Sequence, residues 1–264
     1  MGDTVIRLGA VSYLNTRPLV YGLDQHADRF DLRFDVPARC AELLHANDVD
    51  LGLIPSIEYP GHGYRIVPGV SIASDGPVAS VAIFSRTPTA QIRSIALDTS
   101  SRTSVALLRV LCARWFEIDP RLVSQPPDLD RMLRECDAAL VIGDNALFLD
   151  HEALGLGKVD LGEEWIGMTG LPFVYAFWAG RPDALRAADV AALQDARDKG
   201  LTATAAIGRE SFPDSSEKAA RADLYLRENV KYDLGEPEIA GLRRFYDLAA
   251  EVGALASAEA PRFY

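Results

Sequence analysis

The sequence predicts an α/β protein of two lobes with a ligand cleft between them, and three observations carry that reading. A β-α-β-α-β pattern begins near Ile6 and begins again near Ser94. A further extended, apolar stretch follows each repeat and would cross to the other unit. The four most polar interruptions of the chain, SYLNTR, PSIEY, DTSSRTS and IGDN, come directly after strands. In sheets of parallel strands joined by helices, ligands bind beyond those carboxyl ends.

The elements follow in order. IRLGAV is an apolar strand, and NTRPLVYGL opens a helix with Asn15 as its cap and Pro18 in the first turn. FDLRFDV alternates as a half-exposed strand does. ARCAELLHAND is a short helix, and LGLIP is an apolar strand that stops at Pro55. A longer extended region runs from Tyr64 to Phe84 and contains SIASDGPVASVAIFS. The second repeat opens with SIALD, Ser94 to Asp98. A helix from Ser101 to Phe116 puts Val105, Leu108, Leu111, Cys112 and Trp115 on its buried side. RLVSQ is a strand, and DLDRMLREC is a helix with Leu129, Met132, Leu133 and Cys136 on one face. AALVIGD is a buried strand ending in Gly143 and Asp144, LPFVYAFWAG is extended, and everything after Arg181 reads as helical. These positions divide the chain into a discontinuous first lobe, 1–87 with 181–264, and a second lobe, 88–180. The C-terminal helices are expected to pack back on the first.

With 264 residues, 48% of them hydrophobic, the chain holds enough apolar material for one large core or two small ones. The start, MGDTVIRLGAV, lacks the apolar core of a secretory signal, and no segment reaches the ~20 apolar residues that span a bilayer. A cytoplasmic protein with no membrane partner is expected. Cys40, Cys112 and Cys136 are odd in number and widely spaced within apolar helical patterns, so they read as buried thiols. His26, His45, His62 and His151 fall in no metal-ligand spacing, and neither metal nor cofactor is expected. A net charge of −11 argues against nucleic acid as a ligand. It leaves room for a small anion, because charges more than ~10 Å away are largely screened and a cleft presents its own donors.

DTSSRTS leads into a helix whose first N–H groups have no partner within the helix and carry partial positive charge, which suits a carboxylate. Ser100, Ser101, Thr103 and Ser104 add hydroxyls, and Arg102 adds a charge. Simple capping by Ser100 or Ser101 would explain one of these hydroxyls. The chain has no glycine-rich phosphate loop, so a carboxylate fits better than a nucleotide phosphate. Ser12, Tyr13, Asn15 and Arg17 stand at the end of the first strand, Ser56, Glu58 and Tyr59 after the third, and Ser80 in the first crossing. Asp144 either caps the helix NALFL or faces the cleft as an acid. Gly170, Pro172 and Phe173 introduce the second crossing. These strand ends offer no Ser/His/Asp or Cys/His set. The residues alone describe a cleft for a small polyanion and specify no reaction.

GAVSYLNTRPL, LGLIPSIEY, DGPVASV, DTSSRTSVALLRVL, LVIGDNAL, GLPFVYAFWA and YDLGEPEIAGLRRFYDL together resemble the chorismate dehydratase family, which opens the futalosine route to menaquinone. The resemblance runs from Arg7 to Leu248, and SYLNTRPL and GLPFVYAFWA are its specific segments. A sister family, the naphthoate synthase of the same route, opens differently and carries a histidine near the position of Gly143 and Asp144. The resemblance implies the fold of type II periplasmic binding proteins and the loss of water from chorismate to give 3-[(1-carboxyvinyl)oxy]benzoate. It also implies Asn15 and Ser80 as catalytic positions. Ser12, Tyr13, Arg17 and Ser56, the run from Ser100 to Thr103, Asp144, and Gly170, Pro172 and Phe173 are the expected contacts to this dicarboxylate substrate. Neither catalytic residue is a base at neutral pH, so the enolpyruvyl carboxylate of chorismate is expected to take the C3 proton itself. The main rival is a non-catalytic solute-binding protein for a small carboxylate on the same fold.

Overall fold

The structure, a computed structural model, describes residues 5–264. Strands β1 (Ile6–Val11), β2 (Phe30–Asp35), β3 (Leu51–Pro55), β4 (Arg65–Ile66) and β5 (Ile72–Ser74) belong to a first sheet. Strands β6 (Val81–Ser85), β7 (Ser94–Asp98), β8 (Arg121–Gln125), β9 (Ala138–Ile142) and β10 (Gly157–Asp160) form a second. The chain then returns to the first sheet as β11 (Phe173–Gly180). The orders are β2-β1-β3-β11-β4, with β5 beside β11, and β10-β6-β9-β7-β8.

In each sheet a parallel triplet is joined by crossover helices. β1 lies between β2 and β3, and β7 between β8 and β9. The crossovers use α1 (Pro37–His45) in the first lobe, and α2 (Arg102–Arg114) and α3 (Leu129–Glu135) in the second. Each triplet receives one antiparallel strand from across the hinge, β11 against β3 and β6 against β9. Every residue of β3, β6, β9 and β11 is buried, which is why their sequences run apolar without alternation.

The two antiparallel strands move the lobe boundaries. The division at 87/88 and 180/181 falls one strand late at each end, because β6 bonds into the second sheet and β11 into the first. An apolar run buried on both faces carries no mark of which sheet it joins, and only the pairing decides it. The crossings lie at Asp75–Ser80 and Gly170–Pro172. After β9 the chain forms α4 (Gly143–Leu147), where the helix NALFL was expected, then β10 and α5 (Leu161–Thr169), for which the sequence pattern offered no element.

Two local readings also change. The turn after β1 is a tight 3₁₀ segment, Leu14–Val20, that starts from Tyr13, so Asn15 lies inside it and caps nothing. Trp115 is exposed, because α2 ends at Arg114 and the next residue leaves the helical period. Its indole N–H donates to Glu164 at 2.5 Å.

The C-terminal third is helical, with α6 (Ala187–Thr202), α7 (Thr204–Ser211), α8 (Ser216–Leu224) and α9 (Glu236–Glu251). α6 packs on the 3₁₀ segment, where a side chain at Gly200 would run into the Pro18 carbonyl. α9 lies on β11, with Gly241 over the Pro172 carbonyl, and also touches α2 of the second lobe. Cys40, Cys112 and Cys136 are buried and unpaired, as expected. Among the described residues no helix is long and apolar enough to cross a membrane.

Candidate active site

The loops at the strand ends of the two lobes meet through polar bonds. The Tyr13 phenol, just after β1, lies 3.0 Å from Ser100 Oγ, and Ser100 in turn donates to Asp98 at 2.6 Å. The Leu14 amide donates to Asp144 Oδ1 at 3.1 Å, and the Ala38 amide to the Ser100 carbonyl at 2.9 Å. Thr103 Oγ1 accepts from the Ile57 amide at 3.2 Å. At the rim, Arg102 pairs with Glu42 and Glu58 of the first lobe at 2.9 and 3.1 Å. The lobes are closed on each other.

Beneath these bridges lies a narrow cavity with about 40 Å³ of free space, well short of the roughly 300–1,000 Å³ of small-molecule sites, so a ligand of chorismate's size enters only as the lobes part. Val11, Pro55, Ile72 and Ala176 line it from the first lobe, and Val78, Val81 and Ile142 from the second. Its polar groups are Asn15, Ser80, Ser101, Ser104 and the phenols of Tyr13 and Tyr175. No acid, histidine, lysine, arginine or cysteine lines it among the described residues. Burial pushes the Tyr13 phenol up to about 12 and the Tyr175 phenol well above its ordinary value, so neither ionises near neutral pH.

Asn15, just after β1, and Ser80, at the end of the first crossing, both line this space, and both side chains lie against the Tyr225 phenol. Asn15 Oδ1 is buried without a hydrogen-bond partner, which is rare for a buried amide oxygen unless a ligand completes it. Ser80, 1% exposed, lies 2.8 Å from the phenol oxygen of Tyr225. At the amino end of α2, Ser101 is the cap and accepts from the Ser104 amide at 3.5 Å. The amides of Arg102 and Thr103 have no acceptor among the described residues, but neither residue lines the cavity; its donors at this helix end are the hydroxyls of Ser101 and Ser104.

Of the predicted contacts, Tyr13, Asn15, Ser80 and Ser101 line the cavity. Ser100 and Thr103 stand behind it, holding Tyr13 and the Ile57 amide, and Ser56 donates to the Val174 carbonyl at 2.7 Å. Asp144 caps neither its own helix nor the cleft; it caps the 3₁₀ segment of the other lobe. Burial raises the pKa of Asp144, and the Leu14 amide and Arg17 pull it back down. Six expected contacts lie elsewhere. Ser12 is exposed, Arg17 stacks on the Phe34 ring at 5.3 Å, and Arg102 is held at the rim by its two glutamates. Gly170 is the left-handed cap of α5, and the Pro172 carbonyl accepts from the buried Trp165 indole. Phe173 is likewise not a contact: it is core, edge-on to Trp165, Tyr175 and Phe245. An arginine or an aromatic ring after a strand looks the same in sequence whether it turns inward or out, and packing decides. Tyr175 and Tyr225 were missed as a cavity residue and a support; Tyr175 stood in GLPFVYAFWA without being singled out and Tyr225 in no motif, whereas Ser104 was named among the hydroxyls of DTSSRTS.

Comparison with known proteins agrees with this geometry. The menaquinone biosynthesis family model matches residues 6–251. The chain is 32% identical to the chorismate dehydratase of Thermus thermophilus over 97% of both chains. In structure it is similar to a solved protein of Archaeoglobus fulgidus, with TM-score 0.75, 18% identity, and 95% and 98% of the two chains covered. It is also similar to a Candida albicans protein described as having the generic periplasmic binding protein fold, with TM-score 0.65, 13% identity, and 97% and 92% covered. The two-lobed architecture is therefore that of the periplasmic binding proteins. With the match spanning both lobes and every wall of the cavity, the chain belongs to the menaquinone biosynthesis family.

Proposed function

We propose that the chain is a chorismate dehydratase, a cytoplasmic hydro-lyase that converts chorismate to 3-[(1-carboxyvinyl)oxy]benzoate. One observation supports the mechanism most directly: an uncharged cavity between the lobes presents Asn15 and Ser80 and, among the described residues, no side chain able to accept a proton at neutral pH. Kinship with a named chorismate dehydratase supports the substrate.

Loss of the C3 hydrogen and the C4 hydroxyl turns the diene into a benzene ring, so the reaction runs strongly downhill. What remains for the protein is orientation, exclusion of water and a path for protons. The enolpyruvyl carboxylate hangs from the C3 oxygen and reaches the C3 hydrogen. Among apolar walls it is less well solvated than in water, which makes it a stronger base. Asn15 and Ser80 hold it by neutral hydrogen bonds. The ring carboxylate faces the amino end of α2, where Ser101 and Ser104 line the cavity. The proton taken from C3 leaves with the C4 hydroxyl as water, so the step is redox-neutral.

Incubation of the purified chain with chorismate, followed by ultraviolet and proton magnetic resonance spectra, tests the reading. Loss of the diene with appearance of a disubstituted benzoate is expected. A spectrum that stays that of chorismate while the ligand is bound points instead to a solute receptor.

A further inference from the structure

The hydroxyl of Ser80 is tied down from behind by a residue outside every motif of the sequence. After Leu224, helix α8 widens into a π-helical turn, Tyr225–Asn229, and Tyr225 is its first residue. Such turns recur at functional sites because they re-aim a side chain within a helix. Tyr225 is 2% exposed, and its phenol oxygen lies 2.8 Å from Ser80 Oγ. The same segment ends near Tyr232, whose hydroxyl donates to the Asn15 carbonyl at 3.0 Å. One stretch of chain therefore supports both polar residues of the cavity.

The direction of the Tyr225–Ser80 bond follows from counting donors. Burial raises the pKa of the Tyr225 phenol more than its hydrogen bonds with Ser80 and Asn15 lower it, so the phenol keeps its proton. A buried O–H needs an acceptor. Asn15 Oδ1 receives no donor, which leaves Ser80 Oγ. If Tyr225 donates to Ser80, the single proton of Ser80 turns the other way, toward the cavity.

The backbone under Ser80 is fixed as firmly. Ala79 has φ +65°, a left-handed conformation that an alanine rarely adopts. Both oxygens of Asp160 hold it there, accepting from the Val78 and Ala79 amides at 3.0 and 2.7 Å. Lys158 donates to the Ala79 carbonyl at 3.0 Å. Strain of this kind persists only where the surroundings over-determine it.

We propose that Tyr225 is the positioning residue of Ser80: its phenol donates to Ser80 Oγ and thereby aims the serine proton at the substrate. This role rests on the dehydratase reading above. A double-mutant cycle with chorismate tests it, using Tyr225→Phe, Ser80→Ala and the pair. Tyr225→Phe keeps the ring and loses the donor, so kcat is expected to fall on the order of tenfold. KM is expected to stay within about twofold, and the double variant to be no slower than Ser80→Ala, because the tyrosine acts only through the serine. Losses that multiply, or a Tyr225→Phe enzyme with the wild-type kcat, overturn the role while leaving the dehydratase reading intact. A wild type inert toward chorismate overturns that reading, and the role with it. Should Tyr225→Phe fail to fold, the double variant, in which both partners of the bond are gone, is compared with Ser80→Ala alone. Equal kcat supports the role and a further tenfold loss overturns it.

Discussion

Gly143 of the second lobe lies directly under the ring of Tyr13 from the first. Its φ is +62°, and a Cβ built on it would stand 3.0 Å from two ring carbons of Tyr13. That contact closes the lobes over the cavity, and it leaves no room for any side chain at 143. Gly143→Ala meets both a left-handed backbone and a clash, so it is expected to cost about 1–3 kcal/mol of closure or stability. Thermal melting with and without chorismate measures this; an alanine variant with wild-type melting and wild-type kcat/KM shows that the contact is not needed.

Asn15 has no structural bond through its buried Oδ1, so that oxygen is free for the ligand. Asn15→Ala is expected to lower kcat on the order of 10²-fold through lost positioning, with little change in melting temperature. A large drop in stability with near-normal turnover assigns Asn15 to the fold instead.

The two hydroxyls on the first turn of α2 separate by role. Thr103, fully buried, is the acceptor for the Ile57 amide, whereas Ser104 lines the cavity. Thr103→Val is expected to cost about 1–3 kcal/mol of stability by leaving that amide unsatisfied. Ser104→Ala is expected to weaken ligand binding instead, with the fold intact. Chemical denaturation and calorimetric titration on both variants distinguish the two effects, and the reverse assignment of losses refutes this division.

These two residues also show how far sequence could reach. The periods of the strands and helices marked the two repeats, and the polar strand ends marked the cleft, because burial and helix capping leave local signatures in the chain. Which hydroxyl of DTSSRTS turns inward is set by a quarter turn of helix against a loop 46 residues away. Tyr225 stood in no pattern, since its meaning comes from Ser80, 145 residues distant. Asp144 was read with two possible roles, capping its own helix or serving the cleft, and its actual partner is an amide of the opposite lobe.

Acid stability has one local source. Asp50 accepts from the Arg7 amide and guanidinium and from Arg181, which ties the starts of β1 and β3 to the end of β11. Those hydrogen bonds hold its carboxyl at about 2, below the ordinary 3.8. A lowered folded-state pKa contributes stability above the unfolded value, and that contribution fades as pH falls from about 4 toward 2. Urea unfolding of the wild type and Asp50→Asn is expected to differ by about 1 kcal/mol at pH 6, with the gap closing at pH 2. A gap that stays constant with pH shows that Asp50 is not the titrating group.

The proton acceptor decides between a cleft that orients and one that supplies a base. The most direct comparison uses chorismate and its enolpyruvyl methyl ester, each at saturating concentration, with the wild type and Asp144→Asn. Asp144 is the half-buried carboxylate next to Gly143 of the cavity wall, and it is already spent on the Leu14 amide. Dehydration of chorismate by both proteins, with the ester bound as a competitive inhibitor and unchanged by either, is the expected result. Turnover of the ester by the wild type, together with an Asp144→Asn protein that binds chorismate and leaves it intact, would place the base on the protein and not on the substrate.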